Sequence, residues 1–328
     1  MPPVYPAKLR PGDHVRVIAP SRSRALVNEH DHSAVIDARF AELGLRLSYG
    51  AHVDERDAFD SSAIDSRVRD LHAAFADPEV NAILTVIGGF NCNELLPYLD
   101  WDLIGANPKI FCGYSDITAL NNAILARTGL VTYSGPHWSS FGMIEHFDQT
   151  LRWFRDALFG SDPILITPAE SWTDDLWFLD QHNRELHPNE GWWSLQPGEA
   201  SGSIVGGNLC TLNLLQGGES LPSLAGALLM LEDDFESNAP TFARDLASLL
   251  QLPQAAQVTG LVVGRFQQAS AVTRPLLNEI ITRQPALRGK PVLGNVDFGH
   301  TSPQLTLPIG GQASLRVGTQ TELTITRH

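Results

Sequence analysis

Cysteine is scarce in this chain: Cys92, Cys112 and Cys210 are the only three in 328 residues. The number is odd and each lies in an apolar or glycine-rich stretch, so a disulfide framework is not expected and reduced core thiols are. Cys-x-x-Cys does not occur, and no histidine pair has zinc-ligand spacing beside a third ligand. Neither a metal nor another cofactor is expected. Positive charge is also short. Lys and Arg number 23 against 37 Asp and Glu, a net charge of −14. Such a surface repels phosphate backbones and anionic lipid heads, so partners of either kind, nucleic acid or membrane, are not expected. A small anionic ligand in a local pocket stays open. No apolar run approaches the ~18 residues of a membrane span. The opening MPPVYPAKLRPGDHVRVIAPS carries prolines and charges where a signal peptide needs an apolar stretch, so a cytoplasmic protein is expected.

What is present is globular: 43% hydrophobic and 18% charged residues. The length suggests two domains at about 150 residues each. Residues 14–19, 45–49, 82–87 and 109–112 read as strands. They alternate with helical patterns at 34–43, 64–76 and 116–127, and with a short helix from Asn93 to Leu99. In 64–76, Ile64, Val68, Leu71 and Phe75 fall on one helix face. This alternation predicts a parallel sheet with helices on its faces. The expected first domain is 1–165.

The pattern changes near residue 165. Residues 166–200 are rich in Trp, Asp, Asn, Glu and Pro and lack periodicity, a length that suggests a functional loop. Short glycine-bounded apolar runs follow, with a helix at 240–251 and a polar terminal strand. Residues 166–328 therefore read as a β-richer second domain.

The sharpest local signal is Gly113-Tyr114-Ser115-Asp116, a turn between a strand and a helix. A serine there is exposed at the carboxyl edge of the sheet, beside the N–H groups of a helix amino terminus. A nucleophile elbow prefers glycine two residues after the serine, where Ile117 stands. Helix capping by Ser115 or Asp116 reads the same residues equally well. Gly88-Gly89 follows another strand of the same sheet, and adjacent glycines allow close approach of backbone N–H groups to a substrate oxygen. His300, in a Gly- and Pro-flanked turn, is a candidate base. Glu232, ending an apolar strand, is a candidate carboxylate to orient it. A surface turn and a solvated acidic turn are the alternatives for these two.

Longer stretches carry a resemblance. VRVIAPS at 15–21, IGGFNCNELLPYLDWDLI at 87–104, PKIFCGYSDITALNNAI at 108–124, LDQHNRELHPNEGWW at 179–193, GGNLCTLNLLQG at 206–217, LLMLEDD at 228–234 and VDFGHTSPQLTLPIGG at 296–311 are similar to motifs of the LD-carboxypeptidase family of serine peptidases. Within it the chain resembles the microcin C immunity (MccF-like) branch. The resemblance implies a flavodoxin-like α/β amino-terminal domain and a β-rich, barrel-like carboxyl-terminal domain. It implies a Ser115, Glu232, His300 triad, with the backbone of Gly89 and Asp116 as oxyanion donors and Gly88 beside them. It also implies a homodimer.

For the substrate, the resemblance implies an aminoacyl- or peptidyl-nucleotide amide, with a murein tetrapeptide as the alternative. Four of the chain's seven tryptophans, Trp172, Trp177, Trp192 and Trp193, lie in 166–200. In the resembling branch a tryptophan of this loop stacks on a base, a contact worth about 1–3 kcal/mol. Trp177 is the first expectation for that role and Trp172 the second, with at least two of the four packing the loop. Asn208 matches the family position that binds the polar linker beside the scissile bond. The cations expected near a phosphate are missing after Glu232, where Asp233 and Asp234 stand.

Overall fold

The computed structural model describes residues 2–328. In chain order its strands are β1 (His14–Ile18), β2 (Arg46–Tyr49), β3 (Ala82–Thr85), β4 (Ile110–Cys112), β5 (Thr132–Ser134), β6 (Ile164–Ile166), β7 (Ser171–Trp172) and β8 (His187–Pro188). They continue as β9 (Trp193–Gln196), β10 (Gly198–Asn208), β11 (Ala227–Glu232), β12 (Gly260–Gly264), β13 (Val292–Val296), β14 (Leu307–Ile309), β15 (Gln312–Val317) and β16 (Glu322–Arg327).

The first sheet runs β14-β5-β4-β3-β1-β2. β1 to β5 pair in parallel, in the flavodoxin-like spatial order 2-1-3-4-5. Parallel strands covered on both faces need apolar side chains at every position, and Ala82–Thr85 is buried throughout. Helix Ile64–Ala76 lays Val68, Leu71 and Phe75 against one face. Helix Asp148–Leu158 buries Thr150, Trp153, Phe154, Ala157 and Leu158, one helical stripe. Helix Thr118–Thr128 stops at Gly129, whose φ of 77° lets its N–H reach the Leu125 carbonyl.

The second sheet runs β6-β16-β15-β10-β11-β12-β13-β9. Its centre, β10 to β13, is parallel, with helices Ala239–Leu250 and Arg274–Thr282 as crossovers. Its flanks are antiparallel. Residues of the edge strands β6 and β9 border one cavity, and Ser194 of β9 meets Thr321, just before β16, through a 3.0 Å hydroxyl contact. No strand pairing joins β6 to β9 among the described residues. The architecture is thus the expected parallel α/β sheet with a β-rich second region.

The terminal strand read at the sequence level is a hairpin, β15 and β16. The 166–200 stretch is more ordered than its lack of periodicity suggested: β7 and β8 form a ribbon and β9 joins the second sheet. β14 comes from far down the chain yet pairs with β5 of the first sheet. Apolar residues of both sheets also share core clusters, for example Ile110 and Tyr133 with Leu228 and Val262. Cys92 and Cys112 are buried free thiols, but Cys210 is exposed, correcting the expectation of a core thiol. It sits on the first turn of the short helix Leu209–Asn213, which turns Leu209 and Leu212 inward.

Candidate active site

The serine turn is built by steric exclusion. A Cβ at Gly113 would collide with the Thr85 hydroxyl, so only glycine lets the chain turn off β4 against β3. Ser115 has φ 60°, the left-handed region that a non-glycine residue rarely adopts. It opens a 3-10 turn, Ser115–Ile117, that feeds helix Thr118–Thr128. Ile117, at the position where an elbow prefers glycine, is fully buried. Neither Ser115 nor Asp116 acts as a side-chain cap. The Asp116 carboxylate, 2% exposed, instead accepts from Ser21 Oγ at 2.6 Å and from the Cys92 N–H at 2.9 Å. It fastens the serine turn to the exits of β1 and β3.

Gly88 covers the serine. A Cβ built there would lie 2.9 Å from Ser115 Cβ and 3.0 Å from Ser115 Oγ. At Gly89 a Cβ would strike the Ser21 hydroxyl and lie 2.9 Å from Arg22 Cγ. Among the described residues no hydrogen bond uses the N–H of Gly89 or of Asp116. Two free N–H groups thus border the serine, the arrangement that stabilises developing negative charge on oxygen.

Glu232 and His300 arrive from the second sheet. Glu232 ends β11 and is 3% exposed, so it is no solvated turn. Gly264 and Gly299 make room for it: a Cβ on either would come within 2.9 Å of Glu232 Cβ. His300 follows β13 on a turn with Gly299 at φ 103°. Its Nδ1 lies 2.7 Å from Glu232 Oε2 and its Nε2 lies 3.0 Å from Ser115 Oγ. A carboxylate only accepts, so the proton sits on Nδ1 and Nε2 faces the serine as acceptor. Burial pulls the His300 pKa down. The charge and hydrogen bond of Glu232, with Asp234 and Asp233 behind them, outweigh it, and the net shift is upward.

Residues not singled out in the sequence hold this line in place. Tyr114 packs edge-on to His300, with ring centroids 5.2 Å apart, and stacks on His137 at 4.3 Å. His137 is fixed by Thr85 Oγ1 at 2.8 Å, and burial, then the His300 charge, pushes its pKa down to about 3. It stays neutral beside His300. Gln304 donates to the Gly299 carbonyl at 2.9 Å, and the buried Arg265–Asp297 pair braces the same turn. Nothing local in the sequence marks these roles, because each depends on partners far along the chain.

A cavity of about 60 Å³ adjoins His300, bordered by Tyr114, Phe147, Asp174, Asp175 and Trp177 among others. Trp177 borders it while also packing on His32, with ring centroids 5.5 Å apart, and against the core. Trp172 does not border that cavity: it packs on His187 and under the Arg265 guanidinium, 4.9 Å from its ring centre. Trp193 is buried with its indole N–H on Glu190, and Trp192 packs against the core. The Asn208 side chain is also committed. Its oxygen caps helix Leu209–Asn213 through the Thr211 N–H, and its amide donates to Asp233 Oδ1 at 3.1 Å. Its backbone N–H bonds to Thr118 Oγ1 at 3.0 Å, joining β10 to the helix that follows the serine.

Residues 15–135 match the model of the LD-carboxypeptidase N-terminal domain, and residues 201–315 that of the C-terminal domain. The chain is 49% identical to a putative carboxypeptidase of Bacillus subtilis, YocD, over 94% of each chain. It is 37% identical to the microcin C7 self-immunity protein MccF of Escherichia coli, over 81% of this chain and 80% of the relative. To the murein tetrapeptide carboxypeptidase of Pseudomonas aeruginosa it is 27% identical over 92% of each. Among solved structures, an MccF-like protein from Bacillus anthracis superimposes with a TM-score of 0.97 at 47% identity, covering 99% of this chain and all of the other. MccF in complex with aspartyl sulfamoyl adenosine superimposes with 0.87 at 29% identity, covering 99% of each. No helix among the described residues is long and apolar enough to cross a membrane. The chain belongs to the LD-carboxypeptidase family of peptidases.

Proposed function

We propose that Ser115, His300 and Glu232 act as a catalytic triad that hydrolyses an amide bond through an acyl-enzyme. The observation that carries this reading is the continuous hydrogen-bonded line from Ser115 Oγ to His300 Nε2, and from His300 Nδ1 to the Glu232 carboxylate, at 3.0 and 2.7 Å. Ser115 attacks the carbonyl carbon while His300 takes its proton. The N–H groups of Gly89 and Asp116 hold the oxyanion, which collapses and expels the amine. His300 gives that amine its proton. Water then repeats the sequence on the acyl-enzyme, while Glu232 fixes the tautomer and stabilises the imidazolium.

The proposed substrate is an aminoacyl- or peptidyl-nucleotide amide of the microcin C type, so that hydrolysis detoxifies it. Trp177 beside the His300 cavity supports a base-stacking role, as do the aminoacyl-sulfamoyl nucleotides bound by structurally similar MccF. A murein tetrapeptide cut before its terminal D-amino acid is the second reading. The observation favouring it is the acidic lining: Asp174 and Asp175 at the cavity suit an ammonium group. Incubation with a processed microcin C analogue and with a murein tetrapeptide, followed by mass spectrometry, tests both. Turnover of the nucleotide alone supports the first reading, turnover of the tetrapeptide alone supports the second, and inertness toward both rejects amide hydrolysis of either class.

A further inference from the structure

An amide whose leaving group carries a free carboxylate or a phosphate brings a negative charge close to the scissile bond. The cavity beside His300 offers it two carboxylates and neither lysine nor arginine. The residues after Glu232 are acidic as well. A leaving-group anion therefore needs a cation on another side of Ser115.

Arg22 stands on that side. Its backbone N–H donates to the Gly88 carbonyl at 3.3 Å, and its Cγ lies against Gly89, on the loop that covers the Ser115 hydroxyl. Nearby arginines are neutralised: Arg24 is held by Asp54, and Arg56 by Glu29 and Asp60. The Arg22 side chain is exposed and enters no ion pair among the described residues. A second observation adjoins it. Phe90, next to Gly89, is 49% exposed and packs edge-on to Phe59, which is 68% exposed, with ring centroids 6.4 Å apart. The Phe59 loop lies beside Arg22, because the Asp60 carbonyl accepts from the Ser23 N–H. Two large apolar rings at the surface, on loops adjoining Arg22 and the free N–H of Gly89, make a surface that favours contact with a ligand.

We infer that Arg22, with the Phe59–Phe90 pair as its apolar wall, is a specificity subsite for the anionic group of the leaving portion. The shared chemistry is a carboxylate or phosphate oxygen accepting from the guanidinium. The inference rests on the proposed amide hydrolysis for its orientation, but the anion site itself is tested without turnover.

The experiment measures equilibrium binding by calorimetry to the full-length Ser115→Ala protein, with and without Arg22→Ala or Arg22→Lys. The probes are a murein tetrapeptide, its carboxyl-terminal amide, adenosine monophosphate and adenosine. Removing Arg22 is expected to weaken one or both anionic probes about tenfold or more, equal to ~1.4 kcal/mol. The amide and adenosine should change little, and Arg22→Lys should recover part of the loss. Loss for the tetrapeptide alone assigns the site to a terminal carboxylate, and loss for the nucleotide alone assigns it to a phosphate. Unchanged affinity for both anions, failure of both to bind, or equal loss for the neutral probes overturns the inference. A wild-type enzyme inert toward both substrates, combined with an Arg22-dependent anion, would reject the hydrolytic reading and leave the anion site standing.

Discussion

His300 Nε2 lies 3.0 Å from Ser115 Oγ although 185 residues separate the two. The serine stands on the first sheet and the histidine on the second, so their contact depends on how the two sheets pack. If this contact activates the serine, Ser115→Ala and His300→Ala should each lose several orders of magnitude in kcat while keeping wild-type circular dichroism. The double variant should lose little more than either alone, because the pair acts as a unit. Normal turnover by folded Ser115→Ala would remove the mechanism.

The raised pKa of His300 sets the pH dependence. The base must be neutral, so kcat/KM should fall as pH drops through the histidine pKa, on a limb lying above pH 6.5. In Glu232→Gln the carboxylate charge that raises this pKa is gone. Turnover should fall roughly 10⁴-fold, as for the corresponding change in the serine-protease template, and the residual limb should move to lower pH. A limb at the same pH in both proteins would show that Glu232 does not act on His300.

The two loop tryptophans should separate. Trp177 borders the cavity beside His300, whereas Trp172 packs on the Arg265 that pairs with Asp297. Trp177→Ala should cost roughly five- to 150-fold in kcat/KM on a nucleotide substrate, the range of a 1–3 kcal/mol stacking contact, and little on a murein peptide. Trp172→Ala should lower the thermal midpoint and reduce turnover of any substrate in proportion. Equal losses on both substrates for Trp177→Ala would count against the nucleotide reading.

Asp233 should make stability depend on pH. Burial first, and the charge of Glu232 second, raise its pKa from 3.8 to about 7. A carboxyl group raised in the folded state contributes stability that is fully present below its unfolded value and is lost as pH rises through the folded one. Asp233→Asn keeps the acceptor oxygen that Asn208 and the Asp234 N–H use and removes the titration. In urea unfolding, the variant should gain on the wild type between pH 4 and pH 8, by on the order of 4 kcal/mol. A difference constant over that range would show that Asp233 is not held protonated.

The alternation of strands and helices in the first half was legible because it is local. Burial of Val68, Leu71 and Phe75 follows from the 3.6-residue period alone, and glycines mark the turns at 88, 113 and 129. Ser115 at the end of β4 was legible for the same reason. The stretch 166–200 was not, since a two-residue ribbon leaves no period to read. Cys210 is likewise exposed because of the face its short helix presents.

The parallel β10–β13 register decided that Glu232 and the His300 turn emerge at one edge, facing Ser115. Packing between the sheets decided that Trp177 borders the cavity and Trp172 does not, and that Ser21, beside Gly89, binds the Asp116 carboxylate. Residue periodicity records which face of an element is buried. It carries no information on which distant strand end will lie 3 Å away, because that is set by register and by the shape of the side chains between the sheets.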